Sequence, residues 1–341
     1  MNTLMRLCVG LLAFYAWPLF SQDIHFSQYY HAPQHINPAL TAINPGDISF
    51  TGNYRSQWKS ALDKPYTTAF VSADKKFYLR KKDNQLIGGG LMIYYDGAGN
   101  ANLNVAQIGL SGSYAIAFDR ENVVSFGLQA TLSQRSFSLD RLSFDRQYID
   151  GTFDPDAPTF ESFQDMRSYF PSVGAGFNFH GKQYNKRTRL DIGAAAFNLN
   201  RPDQSFRDDV ASRLPMRFTL YMTPTIQLAK HLDLALSGSA QFQGSYVEAL
   251  GGGGLRIHVS LKRARELAFQ LGAAYRFNSL GDAIIPGIEF QYSSFLVGFT
   301  YDINISEFQA ATNRYGGPEL AVRYLITHVK NLDQFRICRL F

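Results

Sequence analysis

The sequence predicts an all-β fold, a transmembrane antiparallel β-barrel of about 14 strands. Three observations carry this prediction. Apolar and polar residues alternate with a period of two in segment after segment. The N-terminus reads as an export signal. Beyond that signal no apolar run is long enough to span a bilayer as a helix, which needs about 20 residues. Strand side chains point alternately to opposite faces, so each segment has one apolar and one polar face. In a membrane, such strands must close on themselves, with lipid outside and polar groups inside.

The elements follow in order. Residues 1–22 are read as the signal peptide: Arg6 supplies the positive charge, Leu7 to Phe20 the apolar stretch, and Ser21 and Gln22 flank a cleavage point. Residues 23–46 carry Pro33, Pro38 and Pro45 and several amides, and are read as an ordered or semi-ordered periplasmic lead-in. Residues 47–341 form the barrel. Its strands are expected near 47–59, 66–78, 85–96, 103–118, 122–136, 168–180, 188–198, 214–228, 232–243, 247–261, 265–277, 281–292, 294–304 and 317–328. An even count returns both termini to one side, here taken as periplasmic. The connections then sort by parity. One set contains all the long segments, including 137–167 and 199–213. The other is short and partly basic, with Arg80, Lys81 and Lys82, then Lys182, Lys186 and Arg187, then Lys262 and Arg263. Short periplasmic turns with long extracellular loops is the asymmetry of outer-membrane barrels.

Within strands, the pattern assigns faces. Val124, Phe126, Leu128 and Leu132 face lipid, while Ser125, Gly127, Gln129 and Ser133 face inward. Strand charges fall mostly on the inward set: Arg55, Arg217, Asp233, Glu248, Arg256, Arg276, Glu289, Asp302, Glu319 and Arg323. An arginine on the lipid face at mid-depth costs about 2–4 kcal/mol, so this parity is physically enforced. Both signs occur, which predicts pairing across the lumen rather than a single-sign selectivity ring. The 28 glycines are spread through the strands, and aromatics make up 14% of the chain, a supply for girdles at both interfaces.

Other chemistry is weaker. Net charge is +5, or +4 once Arg6 leaves with the signal, too mild and dispersed to point to nucleic acid. Removing the signal also removes Cys8 and leaves Cys338, so no disulfide framework is predicted. His25, His31 and His35 have a spacing that suggests a metal, but Pro33 disfavours the helix that would align them. Gly251 to Gly254 lacks the Lys-Ser/Thr of a phosphate loop and reads as a strand that leaves room for neighbours. Asp140 to Asp165 is acidic and aromatic, a lid or a docking surface, with Phe153, Asp154, Asp156 and Phe160 as partner-binding candidates. No catalytic constellation or nucleotide fingerprint stands out, so neither an enzyme nor a cofactor is predicted.

A sequence of motifs resembles a known family. Gln22-Asp23-Ile24-His25-Phe26-Ser27-Gln28-Tyr29-Tyr30 leads into Pro33 and Asn37-Pro38-Ala39. Asn53-Tyr54-Arg55-Ser56-Gln57-Trp58, Pro65-Tyr66-Thr67-Thr68 and Asp96-Gly97-Ala98-Gly99 follow. Then come Asn200-Arg201-Pro202-Asp203-Gln204-Ser205-Phe206, Leu214-Pro215 with Arg217, Tyr301-Asp302-Ile303-Asn304-Ile305-Ser306 and Gly316-Gly317-Pro318-Glu319-Leu320. Together they resemble the PorP/SprF outer-membrane proteins of the type IX secretion system of Bacteroidetes. The family's Cys-Pro-Arg-Phe tail reads Cys338-Arg339-Leu340-Phe341 here. The resemblance implies a non-enzymatic barrel that assists export or surface anchoring of sorting-domain proteins, such as gliding adhesins. It also implies contacts with periplasmic type IX machinery and peptidoglycan-associated proteins. On these motifs Phe26, Gln28, Tyr29, Asn37, Pro38, Arg55, Trp58, Asp96 and Asp203 become further partner-binding candidates. The polar lumen leaves a small-solute porin, or a structural link to peptidoglycan through the lead-in, as alternative readings.

Overall fold

The computed structural model describes residues 26–59, 64–79, 84–99, 102–119, 121–138, 145–149, 152–154, 157–158, 166–206, 212–262, 265–278, 283–305 and 314–328. Fourteen strands close into an antiparallel barrel. They are β1 (Ile48–Gln57), β2 (Tyr66–Tyr78), β3 (Gln85–Ala98), β4 (Leu103–Ala117), β5 (Asn122–Ser136), β8 (Arg167–Lys182), β9 (Arg189–Phe197), β10 (Arg217–Ala229), β11 (Leu232–Gln243), β12 (Tyr246–Ser260), β13 (Leu267–Asn278), β14 (Ala283–Tyr292), β15 (Phe295–Asn304) and β16 (Tyr315–Ile326). Each pairs with its neighbour in sequence, and β1 closes on β16 from Ile48↔Ile326 to Arg55↔Glu319. All fourteen match the expected segments within a few residues.

The departures have local causes. β10 begins at Arg217 rather than 214, because the Leu214 amide donates to the Pro202 carbonyl (2.9 Å) and Pro215 has no amide to offer a ladder. β16 begins at Tyr315, where the register against β15 shifts. Two strands were not expected, β6 (Tyr148–Ile149) and β7 (Thr152–Phe153), a small hairpin in the long 137–167 connection. Two residues per strand are too few to display alternation.

The faces divide as the parity requires. Phe126, Leu128 and Leu132 are exposed on the outer surface, while Ser125, Gln129 and Ser133 are buried. The mid-height outer surface is aliphatic, with Val71, Ile93, Leu110, Leu220, Leu271 and Ile288 exposed. Exposed aromatics lie toward each rim: Tyr54, Tyr95, Tyr169 and Phe277 near the long loops, and Tyr78, Tyr114, Tyr292 and Tyr324 near the short turns. Aromatic rings at both interfaces flanking an apolar band is the surface that a bilayer solvates.

A barrel of this strand number has an interior too wide for its own side chains to fill. Here the chain fills it. Residues 26–46 lie inside the lumen as a plug, not outside as the periplasmic lead-in read from the sequence. They form a 3-10 turn at Tyr29–His31, one helical turn at Pro33–Ile36 and a second 3-10 turn at Pro38–Leu40. The physical reason is in their composition. Phe26, Tyr29, Ala32, Ile36 and Ala39 need burial, and the intervening amides and hydroxyls can satisfy an inward-facing polar wall. Phe26 sits in the long-loop half of the lumen, against Phe70, Met92 and Tyr94. The plug then descends, and Asn44 reaches Asp74 near the short turns before β1 rises. The first described residue is therefore inside the barrel, whereas the last, His328, lies at the short-turn rim, where its amide donates to Asp47 (2.7 Å).

Candidate functional site

The lumen is the site, and its lower limit is set by the plug. Strands β4, β5 and β10 donate to plug carbonyls. Ser113 on β4 donates to the Thr41 carbonyl (2.6 Å), Ser125 on β5 to Ala39 (2.8 Å), Gln129 on β5 to Gln34 (3.0 Å) and Thr219 on β10 to Ile36 (2.7 Å). Asn37 has two roles. Its side-chain oxygen caps the following turn by accepting from the Ala39 amide (2.8 Å), while its nitrogen donates to the Phe177 carbonyl of β8 (2.8 Å). A lumen segment without strand pairing still needs partners for its backbone, and these contacts supply them.

Inward glycines make the close approach possible. A Cβ on Gly127 would overlap the Ala39 amide and the Pro38 carbonyl, and one on Gly176 would overlap the Asn37 side chain. By contrast Gly251 has nothing near its missing Cβ. Gly251 to Gly254 lies within β12, as the strand reading holds.

In the long-loop half, the plug's first residues meet a buried charge network. Asp302 accepts from Arg276 (2.6 Å) and from Arg55. Arg276 also faces Glu248 (3.7 Å) and donates to the Ser27 hydroxyl. Glu319 receives the Ser27 and Gln28 backbone amides (2.7 and 2.8 Å), and Arg55 lies 3.7 Å from it. Arg55, Asp302 and Glu319 are at most 1% exposed. Charges this buried are tolerable only when paired and hydrogen-bonded, and each here has several partners. Arg217 stands apart: it donates to the His35 carbonyl (3.1 Å) and stacks on Phe197 (4.3 Å).

Above the plug on the β1–β10 side, a vestibule of about 380 Å³ opens toward the long loops. Trp58, Tyr66, Asp96, Arg135 and Phe170 line its wall, with His35, Gln129 and Arg217 at its floor. Trp58 packs on Tyr66 (4.8 Å), and Asp96 accepts from Thr68 (2.8 Å). In the short-turn half a second cavity of about 230 Å³ lies beside the plug, where Glu289 pairs with Arg256 (3.0 Å) and His31 (3.3 Å). Below it, Asp233 pairs with Arg187 (2.7 Å) and His258 (2.7 Å).

The sequence-predicted residues thus separate into groups. Phe26, Gln28, Tyr29, Asn37 and Pro38 are buried plug residues. Arg55 belongs to the buried network rather than to a surface. Trp58 and Asp96 line the vestibule. Asp203 is exposed and accepts from the Ser205 and Ser212 amides (both 2.9 Å), which fixes the loop between β9 and β10. Phe153 is exposed on the small hairpin and packs on Tyr148 (5.2 Å); the Asp154 amide donates to Gln147 (2.8 Å). Asp156 and Phe160 lie outside the described residues, as do His25, Cys338 and most of Asp140 to Asp165. Arg217, Asp233, Arg276, Glu289, Asp302 and Glu319 are buried, and Arg323 lines the lower cavity. His31 and His35 take different partners, Glu289 and Arg217. Sequence reading missed Gln34 and Thr41, which bond to the inner wall, and the glycines that seat them. The signal was present in the glycines at inward parity.

Comparison with known proteins places this barrel. No curated protein sequence matches the chain. Solved structures include similar barrels at low identity. The CymD monoaromatic hydrocarbon channel has a TM-score of 0.48 at 10% identity, over 87% of this chain and 93% of that one. The toluene transporter TodX of P. putida has a TM-score of 0.46 at 10% identity, over 86% and 93%. A FadL homologue of Pseudomonas aeruginosa has 0.45 at 13%, over 84% and 92%. The family model for the type IX secretion system membrane protein PorP/SprF matches residues 19–324. That span takes in the plug and the barrel strands up to the last two residues of β16, and the chain belongs to the PorP/SprF family of outer-membrane secretion-system barrels.

Proposed function

We propose that this protein is a plugged accessory barrel that assists export or surface anchoring of sorting-domain proteins, gliding adhesins among them. One observation carries the reading: residues 26–46 lie across the lumen and bond to β4, β5, β10 and β16. A lumen occupied in this way supports contact at its mouths rather than flow through its centre. The vestibule and the loops around it, with Trp58, Asp96, Phe153, Asp154 and Asp203, form the surface offered to the exported partner. The short turns, with Lys182, Lys186 and Arg187, are offered to periplasmic type IX machinery and peptidoglycan-associated proteins. This reading takes the long loops as extracellular, the arrangement usual for such barrels.

The test has two arms. Deleting the gene should lower surface display of a co-encoded sorting-domain protein. The purified barrel should be electrically silent in planar bilayers. Unchanged display together with steady, solute-selective conductance would replace this reading by a small-solute channel.

A further inference from the structure

We propose that the short-turn half of the lumen is a binding site for a small or terminal anion, a carboxylate or a phosphate. Its ligating groups are Arg189, Arg256 and Arg323. These come from three separate strands, β9, β12 and β16, and converge on the cavity of about 230 Å³. They are close enough to repel one another electrostatically.

The anions already present are engaged. Glu289 is held by Arg256 (3.0 Å) and His31 (3.3 Å), Asp191 by His180 (2.8 Å) and Asp74 by Asn44 (2.8 Å). The side chains of Arg189 and Arg323 make no ion pair or hydrogen bond among the described residues, although Asp191, Asp233 and Glu289 attract Arg189, and Glu289 attracts Arg323, at longer range. The Arg323 Nε is shut off from solvent with no hydrogen-bond partner. Arg323 is half-buried, and a guanidinium partly removed from water without a bonded partner is costly, while Arg189 is exposed and free to turn toward an incoming anion. In the long-loop half Arg55 and Arg276 pair with Asp302 and Arg217 donates to the His35 carbonyl, so the side chains of all three are bonded, as those of Arg189 and Arg323 are not.

Ligand class follows from the donors. A guanidinium presents a planar fork that matches carboxylate and phosphate oxygens two at a time. The cavity admits several water volumes of about 30 Å³ each, enough for phosphate or a short carboxylate and too little for a folded domain. Arg189 keeps solvent access and Pro45 edges the cavity, so entry is from the short-turn mouth.

The experiment is calorimetric titration of the detergent-purified full barrel with inorganic phosphate and, separately, with succinate, at constant ionic strength maintained by chloride. Saturable binding of either anion at one site per barrel is expected, and the stronger of the two assigns the chemistry. The paired variant Arg189→Gln/Arg323→Gln should weaken it at least tenfold, with heat-modifiable migration in gels reporting that the barrel is folded. Arg135→Gln, in the vestibule at the other end, should leave it unchanged. Absence of saturable binding by the unaltered protein, or binding unchanged in the paired variant, overturns the proposal.

Discussion

The two halves of the lumen use the same residue types to different ends. Near the long loops, Arg55 and Arg276 face Asp302, Glu319 and Glu248, and the plug's own backbone amides complete the shell around Glu319. Little of this network touches water. Near the short turns, Arg189, Arg256 and Arg323 surround open space, with Glu289 the carboxylate that pairs directly with one of them. One half therefore closes on the start of the plug, and the other leaves charge unspent beside its middle. Charge composition alone does not separate clamp from pocket; what separates them is whether a neighbouring backbone supplies the remaining hydrogen bonds.

The plug is what divides the halves, so removing it should have the largest effect. Gly127→Leu would place a side chain where the Ala39 amide and Pro38 carbonyl now lie. Side chains can yield to overpacking at about 1–3 kcal/mol, but a backbone seated by bonds on several strands has nowhere to shift. The expected outcome is an intact barrel with an emptied lumen, seen as steady conductance in planar bilayers and cleavage of residues 26–46 by added protease. Gly251→Leu, at a position with open space, should remain silent and resistant. A silent Gly127→Leu barrel would mean that the plug does not block the lumen.

The next contrast compares one carboxylate from each half. Asp302→Ala strips Arg55 and Arg276 of the acceptor they share, leaving buried charge uncompensated at a cost of about 3–5 kcal/mol. Glu289→Ala removes the partner of Arg256 and His31 beside a cavity that water can enter. A loss nearer to about 1–2 kcal/mol is expected there, in the range of an ordinary hydrogen-bonded charge. Urea unfolding in detergent, followed by gel mobility, measures both. Equal losses would erase the distinction between a dry clamp and a wet pocket.

Alternation made the barrel legible almost completely, because every strand has one face in lipid and one in the lumen. Phe299 outside and Asp302 inside follow from the same count. The plug was not legible in the same way. Its residues have no period, since they answer to a curved inner wall rather than to a flat sheet or to solvent. Asn37 looks like a surface amide in sequence, yet it bonds to β8 and caps its own turn. The paired signal was split between distant positions: small residues at inward parity, such as Gly127 and Gly176, and a short segment rich in amides and buried aromatics. Neither half is interpretable without the other. The small hairpin with Phe153 was hidden for a simpler reason, two residues per strand.

The smallest effect is expected at the seam, outside both halves. Asp47 precedes β1 and ties three strands at the short-turn rim. Its carboxylate accepts from the His328 amide beyond β16 (2.7 Å) and from the Tyr78 hydroxyl at the end of β2 (2.8 Å), and its carbonyl accepts from Lys76 (2.9 Å). Partial burial would raise its pKa, but the His328 amide, the Tyr78 hydroxyl and the nearby Lys76 charge outweigh that and hold it below the ordinary carboxylate range. A carboxyl whose folded pKa is depressed contributes stability above its unfolded pKa of about 3.9, and loses that contribution as pH falls through the folded value. Asp47→Asn should therefore lower stability by less than about 1 kcal/mol at neutral pH, as expected of a partly exposed charge. The difference from the unaltered protein should shrink below about pH 4, where both side chains are neutral. Unfolding midpoints at pH 7 and pH 3 measure this. A deficit that stays the same at both values would mean that the seam depends on the shape of the Asp47 side chain and not on its charge.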